Sequence, residues 1–357
     1  MIEVETLLRL VPGPASAGVD CLPANNNLDL TRFGGRLFLA WRTAPTHWAS
    51  DQARLHVASA PALEGPWRPE LTVALGTDVR EPRFVAAPDA LHLFWMELGS
   101  NPRKFQPTQV HHATSAGDGT WTEPSPLGVP GVVPWRTRRL QGRWAMVGYR
   151  NAEAMYGPRP IDPVVELRWS DDLASWSAPV DVHDGGTECE LVELPDGRIL
   201  GLTRNEGPTR RGGDLLVGTD VEHLAVTAIG RKLDSPHLFL WDGEPFVLAR
   251  RQLAFGGRYD VVPRGTPGAL AIRIDQLAYW ITRKRSALYR LEPDGPGLRW
   301  VLDLPSCGDT SFAAVVPELD GSLLVADYTS PTRGGNDPIW MRAQAKPTEI
   351  WAHRLTR

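Results

Sequence analysis

Apolar and polar side chains alternate in short runs along this chain, and most runs end at a turn rich in glycine, proline or aspartate. "CELVEL", "PDG" and "RILGLTR", at 189–204, make one such hairpin: two strand-like runs joined by a pair suited to tight reversal. Similar units recur as "RFGGRLFLAWR" (32–42), "RFVAAPDALHLFWME" (83–97), "RLQGRWAMVGYR" (139–150), "HLFLWDGEPFVLAR" (237–250) and "AAVVPELDGSLLVADY" (313–328). Their turn residues Gly35, Ala90, Gly142, Gly197, Gly243 and Gly321 lie 46 to 55 residues apart, except for one interval of 78. That spacing leaves room for a second strand pair per unit, the requirement of a four-stranded propeller blade.

The additional strands are visible in "RLHVASAPALEGPW", "QVHHATSAGDGTW" and "VELRWSDDLASW", the last followed by "SAPVDV" as an outer strand. The long interval contains "GALAIRI", "SALYRLEPDG" and "LRWVLDLP", and reads as an insertion within the fifth unit. "TEIWAHRL" near the carboxyl terminus supplies a third strand to the final blade, and "EVETLLRLV" from the amino terminus supplies its outer strand, which hides an open sheet edge. The expectation is an all-β, six-bladed β-propeller formed by residues 1–357 as one domain. A five-bladed propeller and a β-sandwich are the competing architectures, but the sandwich does not call for a four-strand repeat.

Composition agrees with short strands: 34 glycines, 32 prolines and 14 tryptophans disfavour long helices, and the 42% apolar fraction disfavours disorder. A formal charge of −4 makes nucleic acid an unexpected partner. No segment has the length and apolarity of a membrane span, and the amino terminus lacks a secretory apolar core, so a cytoplasmic protein is expected. Cys21, Cys189 and Cys307 lack metal-binding spacing and read as reduced thiols; no metal or cofactor is expected.

In a propeller, the segments entering the inner strands converge on one axial mouth, and the second strands run back to it. The entering segments contain Asp78 ("TDVREPR"), Glu190 ("TECE") and Asp309 ("GDTS"). The second strands end at Arg42, Arg150, Arg204, Arg250 and Tyr328. Arg42, Arg204 and Arg250 suit a carboxylate clamp, because the guanidinium fork matches a planar anion; alternatively they neutralise blade acids, and Arg150 is another candidate. Asp78 is either a general acid or a turn cap. Glu188 and Glu190 share a face of an uninterrupted strand, and Glu190, immediately before the apolar run, is the better catalytic candidate. Tyr328, beside Asp327, is either a nucleophile or a packed rim tyrosine. Asp309 either lines the mouth or caps its turn, and "DSPH" supplies too few ligands for a metal.

With "AWRTAP", "DVREPR", "ECELVELPDGRILGLTR" and "GDTSFAAVVPELDGSLLVADY", the chain resembles the sialidase superfamily, as a divergent member. "SAPALEGPW", "SAGDGTW" and "SDDLASW" resemble that family's Asp-box turns. The resemblance implies a glycoside hydrolase for an acidic sugar. It assigns Arg42 and Arg204, with Arg250, to the substrate carboxylate, Asp78 to acid/base work, and Glu190 with Tyr328 to formation of a glycosyl intermediate. A five-bladed type of glycosidase acting on a neutral saccharide through Asp78, Glu190 and Asp309 is one alternative, and a glycan-binding propeller without turnover is another. In each case the partner is a carbohydrate.

Overall fold

In the computed structural model of the chain, residues 1–357 are described except 156–160, 208–211, 260, 263–264, 267, 293, 295–296 and 332–336. The described strands form six four-stranded antiparallel sheets arranged as a six-bladed β-propeller. The inner strands of blades 1 to 6 are Ala24–Phe33, Asp78–Ala86, Val133–Leu140, Gly186–Glu193, Asp234–Trp241 and Ser311–Pro317. Blade 6 takes its outer strand from the amino terminus: Glu3–Val11 pairs with the carboxyl-terminal strand Glu349–Thr356. The 78-residue interval contains the helix Gly268–Trp280, inserted between the second and third strands of blade 5.

Period-two alternation explains the assembly. The second strand of blade 1, Arg36–Ala44, is apolar on both faces, so each face needs its own partner sheet. Leu37, Leu39 and Trp41 pack with Ala314, Val316 and Ala326 of blade 6. Phe38 and Ala40 point the other way, onto Val79, Leu93 and Trp95 of blade 2. Burial of apolar surface between blades, at about 25 cal/mol per Å2, therefore drives ring closure as well as sheet formation.

At hairpin tips such as "PDG", Gly197 has φ of 82°, a conformation that would cost a side-chain-bearing residue about 1 kcal/mol. Two of the turns resembling Asp boxes are held by their acids: Asp172 accepts from the amides of Ala174 and Ser175 at 2.9 and 2.7 Å, and Asp118 from that of Thr120 at 2.9 Å. The three cysteines are free, and no described helix is long and apolar enough to cross a membrane.

Candidate active site

Every inner strand is interrupted near the axis. Its pairing register slips between Asn26 and Leu28, Arg80 and Arg83, Pro134 and Arg136, Thr187 and Glu190, Asp234 and His237, and Ser311 and Ala314. Such bulges turn the intervening residue out of the pleat. Asn27, Glu81, Glu188, Ser235 and Phe312 occupy five of them with φ between 25° and 54°. These five residues line one axial cavity of about 480 Å3. Left-handed backbone at a non-glycine position costs on the order of 1 kcal/mol and concentrates at functional sites. In blade 3, Trp135 packs beneath Phe312, with ring centres 5.5 Å apart, and Tyr149 and Met155 form that side of the cavity.

Glu81, Glu188 and Glu206 line this cavity, and two of these carboxylates, Glu81 and Glu188, stand on the bulges. Glu81 is buried, receives Asn27 Nδ2 at 2.9 Å, and has Arg83 Nη2 3.3 Å from its other oxygen. Burial raises its pKa to about 7; Arg83 opposes the shift and Glu188 reinforces it. Glu188 receives Arg204 on one oxygen and the amide of Ser235, at 2.6 Å, on the other. Both oxygens of Glu188 thus accept hydrogen bonds, as do both oxygens of Glu81. Glu81, which retains its proton in part near neutrality, thus shares the cavity with a second carboxyl.

Cationic groups surround this pair. Arg80, Arg204, Lys232 and Arg250 line the cavity, with Arg103 and Lys104 at its rim. Arg204 and Lys232 both pair with Glu206. Arg250 donates to Asp234 at 2.6 Å beneath the ring of Trp340, and its buried Nε has no hydrogen-bond partner among the described residues. Burial opposes ionisation of Asp234, but Lys232, Arg204 and Arg250 together hold its pKa far below the usual carboxylate range.

Most residues singled out in the sequence lie on this axis, at different depths. Arg204 and Arg250 are on the cavity wall. Arg42 lies beneath it, fully buried, and grips Asp78 through Nε and Nη2 at 2.7 and 3.1 Å. Asp78 also accepts Arg80 Nε at 2.7 Å, and Arg80, unlike Arg42, lines the cavity. Glu190 is buried, with its oxygens committed to Arg136, Arg138 and the amide of Leu238. The bulge breaks the same-face relation expected of Glu188 and Glu190 and brings Glu188 to the cavity instead. Tyr328 is buried behind Phe312, ring centres 6.1 Å apart, and its hydroxyl donates to Asp309 at 3.2 Å. Burial, with Asp309 nearby, pushes this phenol's pKa well above its ordinary value. Asp309 is likewise buried, and Arg150 pairs with Asp181 at 2.6 Å in blade 3. Among the described residues no group of three or more potential ligands could hold a metal.

Glu81, Lys232 and His47 are not among the residues that the sequence singles out. A signal existed for the first: proline inside a strand marks an edge or a bulge, and Glu81 precedes Pro82 as Ser235 precedes Pro236.

No family model matches the sequence, and no curated protein matches it. Solved structures do match its fold. A Dyadobacter fermentans protein of unknown function superposes with a TM-score of 0.66 at 16% identity, covering 99% of this chain and 98% of that one. Trypanosoma rangeli sialidase in complex with the inhibitor DANA gives 0.62 at 13% identity, over 93% of this chain and 55% of the enzyme. The Hadza microbial sialidase Hz136 gives 0.57 at 12%, over 92% and 65%. This chain therefore spans little more than half the length of the trypanosomal enzyme. What it shares with the sialidases is the six-bladed propeller fold.

Proposed function

We propose that this propeller, structurally related to the sialidases, is a glycoside hydrolase for an acidic sugar, with Glu81 and Glu188 as its catalytic carboxylates. The observation that carries the reading is the presence of both glutamates in one cavity, Glu81 with its pKa raised by burial and Glu188 with its oxygens taken by Arg204 and the Ser235 amide. Glycoside cleavage needs a proton for the departing oxygen and negative charge near the anomeric carbon. Glu81, protonated in part near pH 7, donates the proton. Glu188, positioned by Arg204 and the Ser235 amide, faces the positive charge that develops as the bond breaks, and water completes hydrolysis.

An acidic sugar fits better than a neutral one because Arg80, Arg204, Arg250 and Lys232 share the wall and Arg103 and Lys104 the rim. Trp48, Phe105, Trp280 and Trp340 add apolar surface for a pyranose ring. Tyr328 stands behind Phe312 and does not line the cavity, which favours carboxylate chemistry over a Tyr328 nucleophile.

The test is incubation of the purified chain with aryl glycosides of acidic and neutral sugars, following release of the aryl alcohol. Release from acidic-sugar glycosides is expected. Release confined to neutral sugars would overturn the substrate assignment, and saturable binding of every glycan without product would leave a binding propeller.

A further inference from the structure

The loop that follows the second strand of blade 1, "PTHWAS" at 45–50, brings His47 and Trp48 to the cavity. Three successive carbonyls secure its backbone. Arg42 donates to those of Thr46 and Trp48 at 3.3 and 2.9 Å, and Arg80 donates to that of His47 at 2.6 Å. Both arginines are anchored on Asp78. The amide of His47 donates to the carbonyl of Gln344 at 3.0 Å. A histidine held this firmly is presented in one orientation.

The ring has a second support. Its Nδ1 lies 2.8 Å from Asp309 Oδ2, while the Tyr328 hydroxyl and Trp340 indole N–H each donate to Asp309 Oδ1 at 3.2 Å. Burial opposes ionisation of Asp309, but His47, Arg250 and the Trp340 N–H outweigh it and keep the pKa below the ordinary value. An ionised carboxylate only accepts hydrogen bonds, so Nδ1 carries the hydrogen and the lone pair of the neutral ring sits on Nε2. Nε2 has no protein partner among the described residues, and the ring, 16% exposed, lines the cavity.

We infer that His47, oriented by Asp309, accepts the proton of the water that attacks the anomeric carbon. The step rests on the glycosidase reading above. The water oxygen bonds to the anomeric carbon as the bond to the leaving oxygen breaks; Nε2 takes a proton from that water, and Glu81 gives its own to the leaving oxygen. The protein is left with an imidazolium facing Asp309 and an ionised Glu81, and proton exchange with solvent restores both. The charged groups near the ring are Asp309 from blade 6, Arg42 from blade 1 and Arg80 from blade 2. Burial first, and the two arginines after it, lower the imidazole pKa against the pull of Asp309, so the resting ring is neutral at pH 7.

The experiment compares full-length wild type and His47→Gln on an aryl glycoside of an acidic sugar, across pH and with added azide, a nucleophile that needs no deprotonation. His47→Gln is expected to lose about 100-fold or more in turnover. The acid limb of its pH profile should move to lower pH, and azide should restore turnover with a glycosyl azide as product. An unchanged rate, or a loss that azide does not relieve with the acid limb in place, overturns the role of His47 and leaves Glu81 and Glu188 untouched. A wild type that hydrolyses no glycoside overturns the glycosidase reading itself. Imidazole nitrogen NMR adds a check that needs no substrate: the Nδ1–H tautomer is expected, and an Nε2–H tautomer would rule out the step.

Discussion

Arg42 and Asp78 form a two-pronged salt bridge, 2.7 and 3.1 Å long, with neither side chain exposed to solvent. This pair organises the cavity from beneath: Asp78 orients Arg80, and Arg42 fixes the loop that carries His47. Removing one partner of a buried pair strands the other charge, at a cost of about 3–5 kcal/mol. Arg42→Met is therefore expected to lower stability by that amount in urea unfolding at pH 7. A loss below about 1 kcal/mol would show that Arg80 alone satisfies Asp78.

Tyr328→Phe separates attack by a tyrosine from direct attack by water. The hydroxyl is buried and directed at Asp309, so its removal is expected to cost about 1 kcal/mol of stability and leave turnover within about tenfold of wild type. Complete loss of turnover in a folded variant would return the nucleophile to Tyr328.

The raised pKa of Glu81 has a thermodynamic consequence. With a folded value of about 7 against 4.5, the folded state retains a proton that the unfolded chain releases, so the carboxyl erodes stability as pH rises through that window. The penalty is absent below pH 4.5 and complete above pH 7, at about 3 kcal/mol. The Tm of Glu81→Gln relative to wild type should accordingly climb between pH 4.5 and 8. A difference that stays constant with pH would mean that Glu81 titrates normally.

Lys284 offers a second linkage test. Its ammonium is buried 3.5 Å from the ring centre of Tyr279. Burial and then Arg250 lower its pKa from 10.5 to about 6, against the pull of Asp234. The unfolded chain binds the proton more readily between pH 6 and 10.5, so this lysine's destabilising contribution shrinks as pH rises through that window. The stability gained by Lys284→Met should be largest near pH 6 and fade toward pH 10.5, as read from thermal melts. A gain independent of pH would attribute it to packing.

Much of the ring was legible because each blade repeats an apolar hairpin, and both faces of a strand such as Arg36–Ala44 must be buried. The terminal strand Glu3–Val11 was legible for a related reason, since an apolar strand without a neighbour needs an edge to cover. The site was harder. A bulge adds one residue to a strand and reverses which side chains face the axis, so strict alternation placed Glu190 where Glu188 stands. Arg42 and Arg80 lie on adjacent blades and both hold Asp78, but Arg42 is also tied to Asn26 and the carbonyls of Thr46 and Trp48, and only Arg80 of the two lines the cavity. His47 lies on a connecting loop without strand periodicity, and Asp309, which gives it meaning, is 262 positions away.

The most direct measurement is kcat/KM for wild type, Glu81→Gln and Glu188→Gln on an aryl glycoside of an acidic sugar, with folding verified by circular dichroism. The two-carboxylate assignment predicts a loss of about 100-fold or more in each folded variant, smaller for Glu81→Gln when the leaving group is a good one. Wild-type rates from folded Glu188→Gln would contradict it.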